Sequence, residues 1–356
     1  MNVPKLRFKE FNDEYAKLKY KDVLKIKSGK DQKQVEDENG KYPILGTGGQ
    51  IGKTNSFLYD KPSVLIGRKG TINKPQYMES PFWTVDTLFY SHIYEPNIPK
   101  YLFYSFQNVN WKKYDESTGV PSLSSSTIES VECSIPSPNE QIKVANFLSL
   151  LDKKIELQSK KIEDLKLFKK GLLYNEKRNN NLWNEYKISD IMNITRGTVI
   201  PKTEISECLN NEFRYPVYSS QTSNNGILGY DNKYDFNGKF LTWTTDGANA
   251  GKVFYREGKF RCTNVCGILY NKDNRYVSEL TAELLNIETP KYVSYVGNPK
   301  LMNNVMSNII IKLPDPSRDY FFSSILKIIN KKLTIEEEKL DKLFELKKGL
   351  MQNMFV

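Results

Sequence analysis

The stretch VPSLSSSTIESVECSIPSP, residues 120–138, recurs as NPKLMNNVMSNIIIKLPDP at residues 298–316. Four residues are identical between the two stretches at a constant offset of 178 residues, namely Pro121, Leu123, Pro136 and Pro138, which match Pro299, Leu301, Pro314 and Pro316. A repeat with this spacing predicts a chain built from two copies of one structural unit.

The segments around this stretch extend the repeat in both directions. Downstream, LLDKKIE at 150–156 meets IINKKLT at 328–334 without a gap. Upstream, LKYKDVLKIKSG at 18–29 resembles YKISDIMNITRG at 186–197 at an offset of 168, so the second copy carries insertions of about ten residues in its first half. Each copy therefore consists of a variable part followed by a more closely matched helical part.

The helical parts carry apolar residues at steps of three and four, which indicates a heptad seam. A Pro-x-Pro sequence precedes each helix, and the seam position at Gln158 is polar in both copies, with Glu336 as its counterpart. The two seams are Leu148, Leu151, Ile155, Ile162 and Leu165 in the first copy, and Leu326, Ile329, Leu333, Leu340 and Leu343 in the second.

Each helix of roughly 35 residues would be about 50 Å long. Because each has an apolar stripe without a partner, we expect the two helices to pack on each other, with an antiparallel arrangement favoured. The predicted fold class is α+β: two mixed α/β domains joined by two long helices packed as an antiparallel coiled coil, with an internal pseudo-twofold repeat. The expected boundaries are 1–138 and 183–315 for the two mixed α/β domains, and 139–182 and 316–356 for the helical regions.

The composition points to a polyanionic partner. The 356-residue chain has a formal net charge of +10, with its lysines spread along the sequence, which favours nucleic acid. Four cysteines, no apolar leader at the start and no long apolar run predict a cytoplasmic protein that does not enter a membrane.

Motifs for catalysis and metal binding are incomplete. GTGGQIGKTNS, residues 46–56, resembles a phosphate-binding loop, but the required first glycine is Thr47, and the second copy lacks both its glycines and its lysine. Cys262 and Cys266 lack a second Cys/His pair, and His92 is the only histidine, so we expect neither a metal site nor a hydrolytic triad. No catalytic residue is predicted.

The layout resembles the specificity subunit of Type I restriction-modification systems. The motifs that carry the resemblance occur in order, once per copy: Tyr42-Pro43 with its glycine loop, VLIGRKGT, PFWTVDTLFY, SLSSSTIESVECSIPSPNEQ and the helix ending in KKGLL, then LTWTTDGANAGKVFY, FRCTNVCGILY, LPDP and KKGL. The resemblance covers essentially the whole chain.

The resemblance implies a protein that aims enzymes without being one. Each recognition domain would read one half of a split sequence in double-stranded DNA, and the helices would set the spacing and dock two modification (methyltransferase) subunits. Restriction subunits with ATPase and nuclease activity would join them. No cofactor is expected on this chain; S-adenosylmethionine, ATP and magnesium are expected on the partner subunits.

For DNA contacts we predict basic and amide residues at the variable turns, because these side chains can hydrogen bond to base edges and phosphates. They are Gln50, Lys53, Arg68, Lys69, Asn73 and Lys74 in the first domain, and Gln221, Asn224, Asn249, Lys252 and Arg261 in the second. Two other functions stay open from the residues: a nucleotide-binding enzyme that uses the loop from Gly46 to Thr54, and a coiled-coil scaffold without a DNA role.

Overall fold

The computed structural model describes residues 2–178, 183–271 and 273–356, and these residues form two units. Unit 1 comprises Met1–Lys160 and Glu338–Val356, and unit 2 comprises Lys161–Glu337. Each unit thus includes part of each long helix, and the predicted domain boundaries stay a prediction. The predicted boundary at residue 182 lies outside the described residues.

Unit 1 contains a four-stranded sheet in the order β2-β8-β5-β6, a three-stranded sheet in the order β4-β3-β7, and a separate ladder of β1 with β9. The elements, including the whole of the first long helix, are β1 (Ala16–Lys19), α1 (Tyr20–Val23), β2 (Leu24–Lys27), β3 (Tyr42–Gly46), β4 (Gly49–Thr54), β5 (Ser63–Gly67), β6 (Gln76–Met78), β7 (Trp83–Thr84), β8 (Leu88–Ile93), α2 (Pro99–Asn108), α3 (Ser125–Ser130), β9 (Glu132–Ile135) and α4 (Pro138–Arg178).

Unit 2 contains one six-stranded sheet in the order β11-β16-β14-β15-β12-β13 and a ladder of β10 with β17. Its elements, including the whole of the second long helix, are β10 (Asn184–Lys187), α5 (Ile188–Ile191), β11 (Asn193–Arg196), β12 (Tyr215–Tyr218), β13 (Ile227–Asp231), β14 (Phe236–Thr244), β15 (Val253–Cys262), β16 (Cys266–Tyr270), α6 (Glu279–Glu288), α7 (Asn303–Asn308), β17 (Ile310–Leu313) and α8 (Pro316–Met354).

The long strand β15 explains why one copy has a single sheet and the other has two. Its counterparts in unit 1 are the short strands β6 and β7, which pair with β5 and β3 respectively. Pro81 lies between them, and proline has no N–H group to donate to a ladder. The sheet of unit 1 is therefore interrupted where that of unit 2 is continuous.

The β14–β15 hairpin bends sharply, and its end returns to the first strand of the sheet. Gly238 and Gly258 face each other in this hairpin with φ values of 133° and 99°, which side chains with a Cβ rarely adopt. Beyond the bend, the carbonyl of Cys262 accepts a hydrogen bond from Thr198 N at 3.0 Å. The six strands consequently curl around a small aromatic core that includes Phe260.

Another glycine permits this return in both copies. A Cβ on Gly197 would lie 2.3 Å from the carbonyl oxygens of Cys262 and Thr263. A Cβ on the matching Gly29 would lie 2.0 Å from the carbonyl oxygen of Val85. Real Cβ atoms do not approach oxygen this closely, so only glycine lets the strand end pack here.

Each unit has its own core beside its sheet. In unit 1, the aromatic side chains of α2 pack with Tyr20 and Trp111, and the ring centroids of Phe106 and Trp111 lie 5.1 Å apart. In unit 2, Trp243 is fully buried, and its Nε1 donates to the carbonyl of Leu301 at 3.0 Å. Burial of such large rings supplies a major part of the hydrophobic stabilisation of a domain.

The two long helices pack together in an antiparallel direction, as the sequence predicted. Within unit 2, Lys161 on α4 pairs with Glu336 on α8 at 2.9 Å, and Lys169 lies further along α4 but bonds to the earlier residue Asn330 at 2.7 Å. Partner numbers that fall as α4 advances define antiparallel helices. The predicted fold class is confirmed.

The beginning of α8 holds two aspartates in opposite environments. Asp315 is exposed and caps the helix, since its Oδ1 accepts from the backbone N–H of Ser317 at 2.9 Å, and hydrogen bonds with Ser317 and Arg318 lower its pKa. Asp319 is buried and accepts from Ser278 Oγ at 2.8 Å. Burial raises the pKa of Asp319, and the bond from Ser278 only partly offsets this rise.

We predict that Asp319→Asn and Asp315→Asn change stability with opposite pH dependences. The raised pKa of Asp319 means that wild-type stability falls as pH rises above about 4 through the folded pKa, because the folded chain holds this proton more tightly than the unfolded chain does. Asp319→Asn removes this loss, so its advantage in unfolding free energy should grow from pH 4 to 7. Neutral Gln141 occupies the equivalent place in unit 1, which shows that an amide is accommodated there.

Asp315→Asn is the matched control at the same helix end. Its lowered pKa stabilises the wild type above about pH 4, and this contribution is lost as pH falls through the folded pKa. Asp315→Asn should therefore be destabilising at pH 7 and nearly neutral under acid conditions. Denaturant titrations at several pH values measure both effects, and parallel pH profiles for the two variants would contradict the assignment.

Candidate nucleic-acid interface

Four loops meet at one edge of the sheet in each unit, held by equivalent backbone hydrogen bonds. We call residues 28–30, 68–74, 85–87 and 116–122 platform 1, and residues 196–198, 245–251, 263–265 and 294–300 platform 2. The bonds of platform 1 are Lys30 N to Thr84 O (2.9 Å), Val85 N to Leu45 O (3.1 Å), Arg68 N to Thr87 O (2.8 Å), Gly70 N to Pro121 O (2.8 Å) and Glu116 N to Ser122 O (3.0 Å).

Platform 2 has the same five bonds at the matching positions. They are Thr198 N to Cys262 O (3.0 Å), Thr263 N to Tyr218 O (2.9 Å), Thr245 N to Val265 O (3.0 Å), Gly247 N to Pro299 O (2.9 Å) and Ser294 N to Lys300 O (2.9 Å). Because main-chain groups make these bonds, the side chains of the loops are free to differ between the copies.

Platform 1 presents uncompensated positive charge. Arg68 and Lys69 directly follow the buried strand β5, and Lys74 lies at the end of the same loop; all three side chains are exposed. None of the three forms an ion pair with another residue that the structure describes. Asn73 is exposed beside Lys74, so four of the predicted contacts lie together here.

Two acidic residues of the platform 1 hairpin and its flank, Asp115 and Glu116, are hydrogen bonded within that hairpin, whereas Asp86 on the neighbouring loop is exposed. Asp115 accepts the N–H groups of Ser117 and Ser122 at 3.0 and 2.9 Å, and these bonds hold its pKa below the ordinary value. Glu116 accepts from the hydroxyls of Ser124 and Thr127, and its pKa is lowered as well. These carboxylates stabilise the turn, and the exposed cations on the neighbouring loop keep their charge.

The stretch from Gly46 to Ser56 forms the β3–β4 hairpin. Gln76 donates to the carbonyl of Gly46 at 2.9 Å and ties this turn to the segment that follows platform 1. A phosphate-binding loop requires a helix directly after its glycines, and β4 occupies that place. Gln50 and Lys53 are exposed on β4, outside platform 1, and share a shallow groove with Glu36 and Glu38.

The predicted contacts of unit 2 divide between two turns. Asn249 is exposed on platform 2, and Lys252 lies immediately before β15. Asn224 lies at the exposed tip of the turn between β12 and β13, with φ of 48°. Gln221 belongs to the same turn, but it is half-buried and its amide donates to the carbonyl of Ile227.

Arg261 is committed to the interior of unit 2. Its Nη1 contacts Asp231 at 2.5 Å and Glu204 at 3.1 Å, and its Nε contacts Asp235 at 3.2 Å. Burial alone would lower its pKa, but the hydrogen bonds to these three carboxylates raise it overall. This corrects the expectation of a DNA contact from Arg261, because its guanidinium already has partners.

Arg196 and Lys300 are two cations of platform 2 that the sequence did not reveal. Arg196 Nη2 donates to Thr245 Oγ1 at 3.0 Å and to Asp246 Oδ2 at 3.2 Å, and Lys300 Nζ lies 4.0 Å from Asp246 Oδ1. The first copy has Ser28 and Ser122 at the equivalent positions. Comparison of the two copies therefore did not indicate a cation at either place.

The two cysteines at the end of β15 and the start of β16 are buried free thiols. Cys262 and Cys266 lie beside the small aromatic core. Across the described ranges, no group of three or more histidine, cysteine, aspartate or glutamate side chains could hold a metal ion. Among the described helices, none has the length and apolar character needed to cross a bilayer.

Comparison with known proteins agrees with the repeat. A family model described as the type I restriction modification DNA specificity domain matches the chain twice, at residues 12–167 and 180–345. The two matches include most of the chain and fall on its two copies. The chain belongs to this family.

Relatives of this specificity protein occur in Mycoplasma pneumoniae (strain M129). S.MpnORF365P, named as a candidate type I specificity subunit, is 34% identical over 203 residues, which cover 55% of this chain and 74% of that protein. The protein named as the N-terminus of S.MpnORF289P is 47% identical over 125 residues, 35% of this chain and 65% of that sequence. The MpnII specificity subunit is 42% identical over 130 residues, 36% of this chain and 38% of its own length.

The chain therefore spans less than two thirds of the length of several specificity proteins that it matches. Its fold has a solved counterpart over nearly its whole length. The crystal structure of a Type I restriction-modification S subunit from M. genitalium aligns with a TM-score of 0.79 at 16% identity, covering 99% of each chain. At that identity, the similarity establishes a shared fold.

The seam residues of the two helices that are expected to dock partner subunits are largely buried. Leu148, Leu151, Ile155, Ile162, Leu326, Ile329 and Leu333 are buried, and Leu165, Leu340 and Leu343 are half-buried. The apolar seam is therefore covered within the chain, as expected of helices that pack on each other, and docking of partners on these helices stays a prediction. A different stripe is exposed, comprising Leu150 and Leu157 on α4 and Ile328 and Ile335 on α8, at 69%, 58%, 69% and 41%.

We predict that the hairpin at Gly46–Ser56 does not bind ATP. Its backbone N–H groups are used in the β3–β4 ladder, so they cannot surround a phosphate as a loop before a helix would. Calorimetric titration of the chain with MgATP should show no saturable heat, and Lys53→Ala should give the same trace. Saturable binding that Lys53→Ala abolishes would contradict this prediction.

Proposed function

We propose that this chain is the DNA-recognition subunit of a type I restriction-modification complex, in which each platform contacts one half of a two-part site. One observation carries the proposal: the same set of five backbone hydrogen bonds, which we call the frame, occurs in both platforms. Each copy of the frame presents different exposed side chains. A repeated frame with different surfaces suits the reading of two unlike half-sites. Family membership supports the same conclusion.

The charge distribution supports contact with duplex DNA. Arg68, Lys69 and Lys74 are exposed and have no carboxylate partner in the described residues, while the nearby Asp115 and Glu116 are engaged in their own hairpin. Lysine and arginine contacts to phosphate supply most of the affinity for DNA, and base contacts supply specificity. Gln50, Asn73, Asn224 and Asn249 are the exposed amides that remain candidates for base contacts.

We further propose that two modification subunits dock on the exposed helix stripes. Leu150 and Leu157 lie seven residues apart, and Ile328 and Ile335 repeat them at an offset of 178. Residues seven apart lie on one side of a helix, so each pair is an exposed apolar stripe suited to a partner helix. The stripe occurs once in each unit, which suits two equivalent partners.

In this proposal the chain does not catalyse a reaction. Methyl transfer from S-adenosylmethionine belongs to the modification subunits, and ATP-driven translocation and magnesium-dependent cleavage belong to restriction subunits. The contribution of this chain is recognition, in the cytoplasm, of the DNA on which those enzymes act. The long helices set the distance between the two half-sites.

We predict that the complex of this chain with its modification partner selects a two-part motif from a randomised duplex pool. Replacing Arg68 and Lys69 together by alanine should change only the half-site read by unit 1. It should also lower the slope of log affinity against log salt by about one for each phosphate contact removed. Sequencing of the selected pool and salt-dependent binding measure both effects.

The control for this experiment removes the same charge elsewhere. Lys153 and Lys154 are exposed lysines on α4, outside both platforms. Their joint replacement by alanine should leave both half-sites unchanged. Recovery of no two-part motif by the wild-type complex would contradict the proposed function.

We predict that Leu150→Asp with Leu157→Asp removes one of two bound modification subunits. A charge placed in an apolar contact must be desolvated without a partner, which costs several kcal/mol. Ile328→Asp with Ile335→Asp should remove the other subunit, and all four changes together should remove both. Native mass spectrometry of the purified complexes counts the subunits.

Lys170→Asp serves as the matched control, because it introduces the same side chain at an exposed position of α4 that lies on a different side of the helix from Leu150 and Leu157. It should leave two modification subunits bound. If the fourfold variant also keeps both subunits, the docking assignment is wrong.

A further inference from the structure

The hairpin from Ser294 to Lys300 presents two apolar side chains at its tip. Ser294 and Lys300 close it with two backbone hydrogen bonds of 2.9 Å, and Gly297 turns the chain with φ of 73°. Tyr295 is 69% exposed and Val296 is 92% exposed, the highest value among the large apolar side chains that the structure describes. The two side chains at this tip therefore contribute little buried area to the domain.

The base of this hairpin carries two cations around one carboxylate. Asp246 contacts Arg196 at 3.2 Å and Lys300 at 4.0 Å, and it also accepts from Thr245 Oγ1 at 2.6 Å. The side chains of Arg196 and Lys300 are 37% and 51% exposed. Two positive charges against one negative charge leave an excess positive charge next to the apolar tip.

Arg196 is held in a fixed orientation with hydrogen-bonding capacity to spare. Both of its hydrogen bonds use Nη2, and Thr245 and Asp246 are themselves bonded to each other. Its Nε–H is buried without an acceptor among the described residues, so the capacity that remains for an outside ligand lies in its Nη groups, of which Nη1 donates no hydrogen bond to a described residue. A guanidinium oriented in this way by a carboxylate is suited to the O6/N7 edge of guanine in the major groove.

We propose that this hairpin with Arg196 is the element of unit 2 that determines specificity for its half-site. Arg196 contacts a base edge, Lys300 contacts a phosphate, and Tyr295 and Val296 pack against base edges in the groove. The proposal rests on the proposed DNA-recognition function and deepens it for one domain. Excess positive charge favours DNA over a protein partner, because the phosphate backbone is a dense array of negative charge.

The first copy provides a natural comparison on the same frame. The hairpin of platform 1 places Ser117 and Thr118 where platform 2 has Tyr295 and Val296, and Ser28 where it has Arg196. Its Ser117 is bonded within the turn to Asp115. The two tip positions are therefore polar in the first copy and apolar in unit 2, although Val120 elsewhere in the first hairpin is 67% exposed.

The test transfers these residues from the first copy to the second in the complex with the modification partner. Tyr295→Ser with Val296→Thr should lower the preference for one or two base pairs of the unit 2 half-site by about tenfold, with the other half-site unchanged. Arg196→Lys keeps the charge but loses the planar fork, so it should relax one base pair and preserve the salt dependence. Selection from a randomised duplex pool measures the preferences.

Leu209→Ser is the control, because Leu209 is an exposed apolar residue of unit 2 outside platform 2, and its replacement should change no preference. Thermal unfolding checks that the tip variants are folded, which we expect because their side chains are exposed. Unchanged half-site preferences in both the tip variant and Arg196→Lys would overturn the inference while leaving the proposed function intact.

Two other outcomes also decide the matter. If the tip variant binds fewer modification subunits with unchanged base preferences, the hairpin is a protein contact and the inference is wrong. If the wild-type complex selects no two-part motif, the proposed function and this inference fall together.

Discussion

The return of a strand end onto the first strand of the sheet is the contact on which the rest of each unit depends. In unit 2 it is the bond from Thr198 N to the carbonyl of Cys262, and in unit 1 the bond from Lys30 N to the carbonyl of Thr84. The glycine before each donor admits the approach, since a Cβ there would overlap carbonyl oxygens. Without this return, the four loops of each platform would not meet, and neither platform would form.

Much of the fold could be predicted from the sequence because its signals are local or repeated. The Pro-x-Pro entries and heptad seams predicted α4 and α8, and two seams without other partners predicted that these helices pack on each other. The residues of the candidate site could be predicted less completely. Arg261 looked like a loop cation because its carboxylates, Glu204, Asp231 and Asp235, become its neighbours only when the sheet curls. Arg196 and Lys300 belong to different strands and loops that only the folded sheet unites.

In the long helices, the heptad pattern predicts which side is buried within the chain but does not predict which exposed side binds a partner. A heptad pattern identifies the most apolar side of a helix, and that side is used within the chain: Leu148 and Leu326 are fully buried. Whatever docks from outside must use what remains. Leu150 and Ile328 remain exposed at equivalent places. Exposure of apolar side chains to water is unfavourable, and the solvent-facing side of a helix ordinarily carries charged residues instead. The sequence seam and the proposed docking surface are therefore different faces of the same helices.

The platforms separate folding from recognition in physical terms. Their frames are made of main-chain hydrogen bonds and close glycine contacts, so their stability depends little on which side chains project from the tips. Exposed substitutions of this kind usually change stability by less than about 0.5 kcal/mol. The two copies illustrate the consequence, since one frame supports Ser117 and Thr118 and the other supports Tyr295 and Val296. Because the tips can change without disturbing the frame, the proposed reading of one half-site by each unit does not depend on the other unit, and the proposed docking on the helices does not depend on either tip.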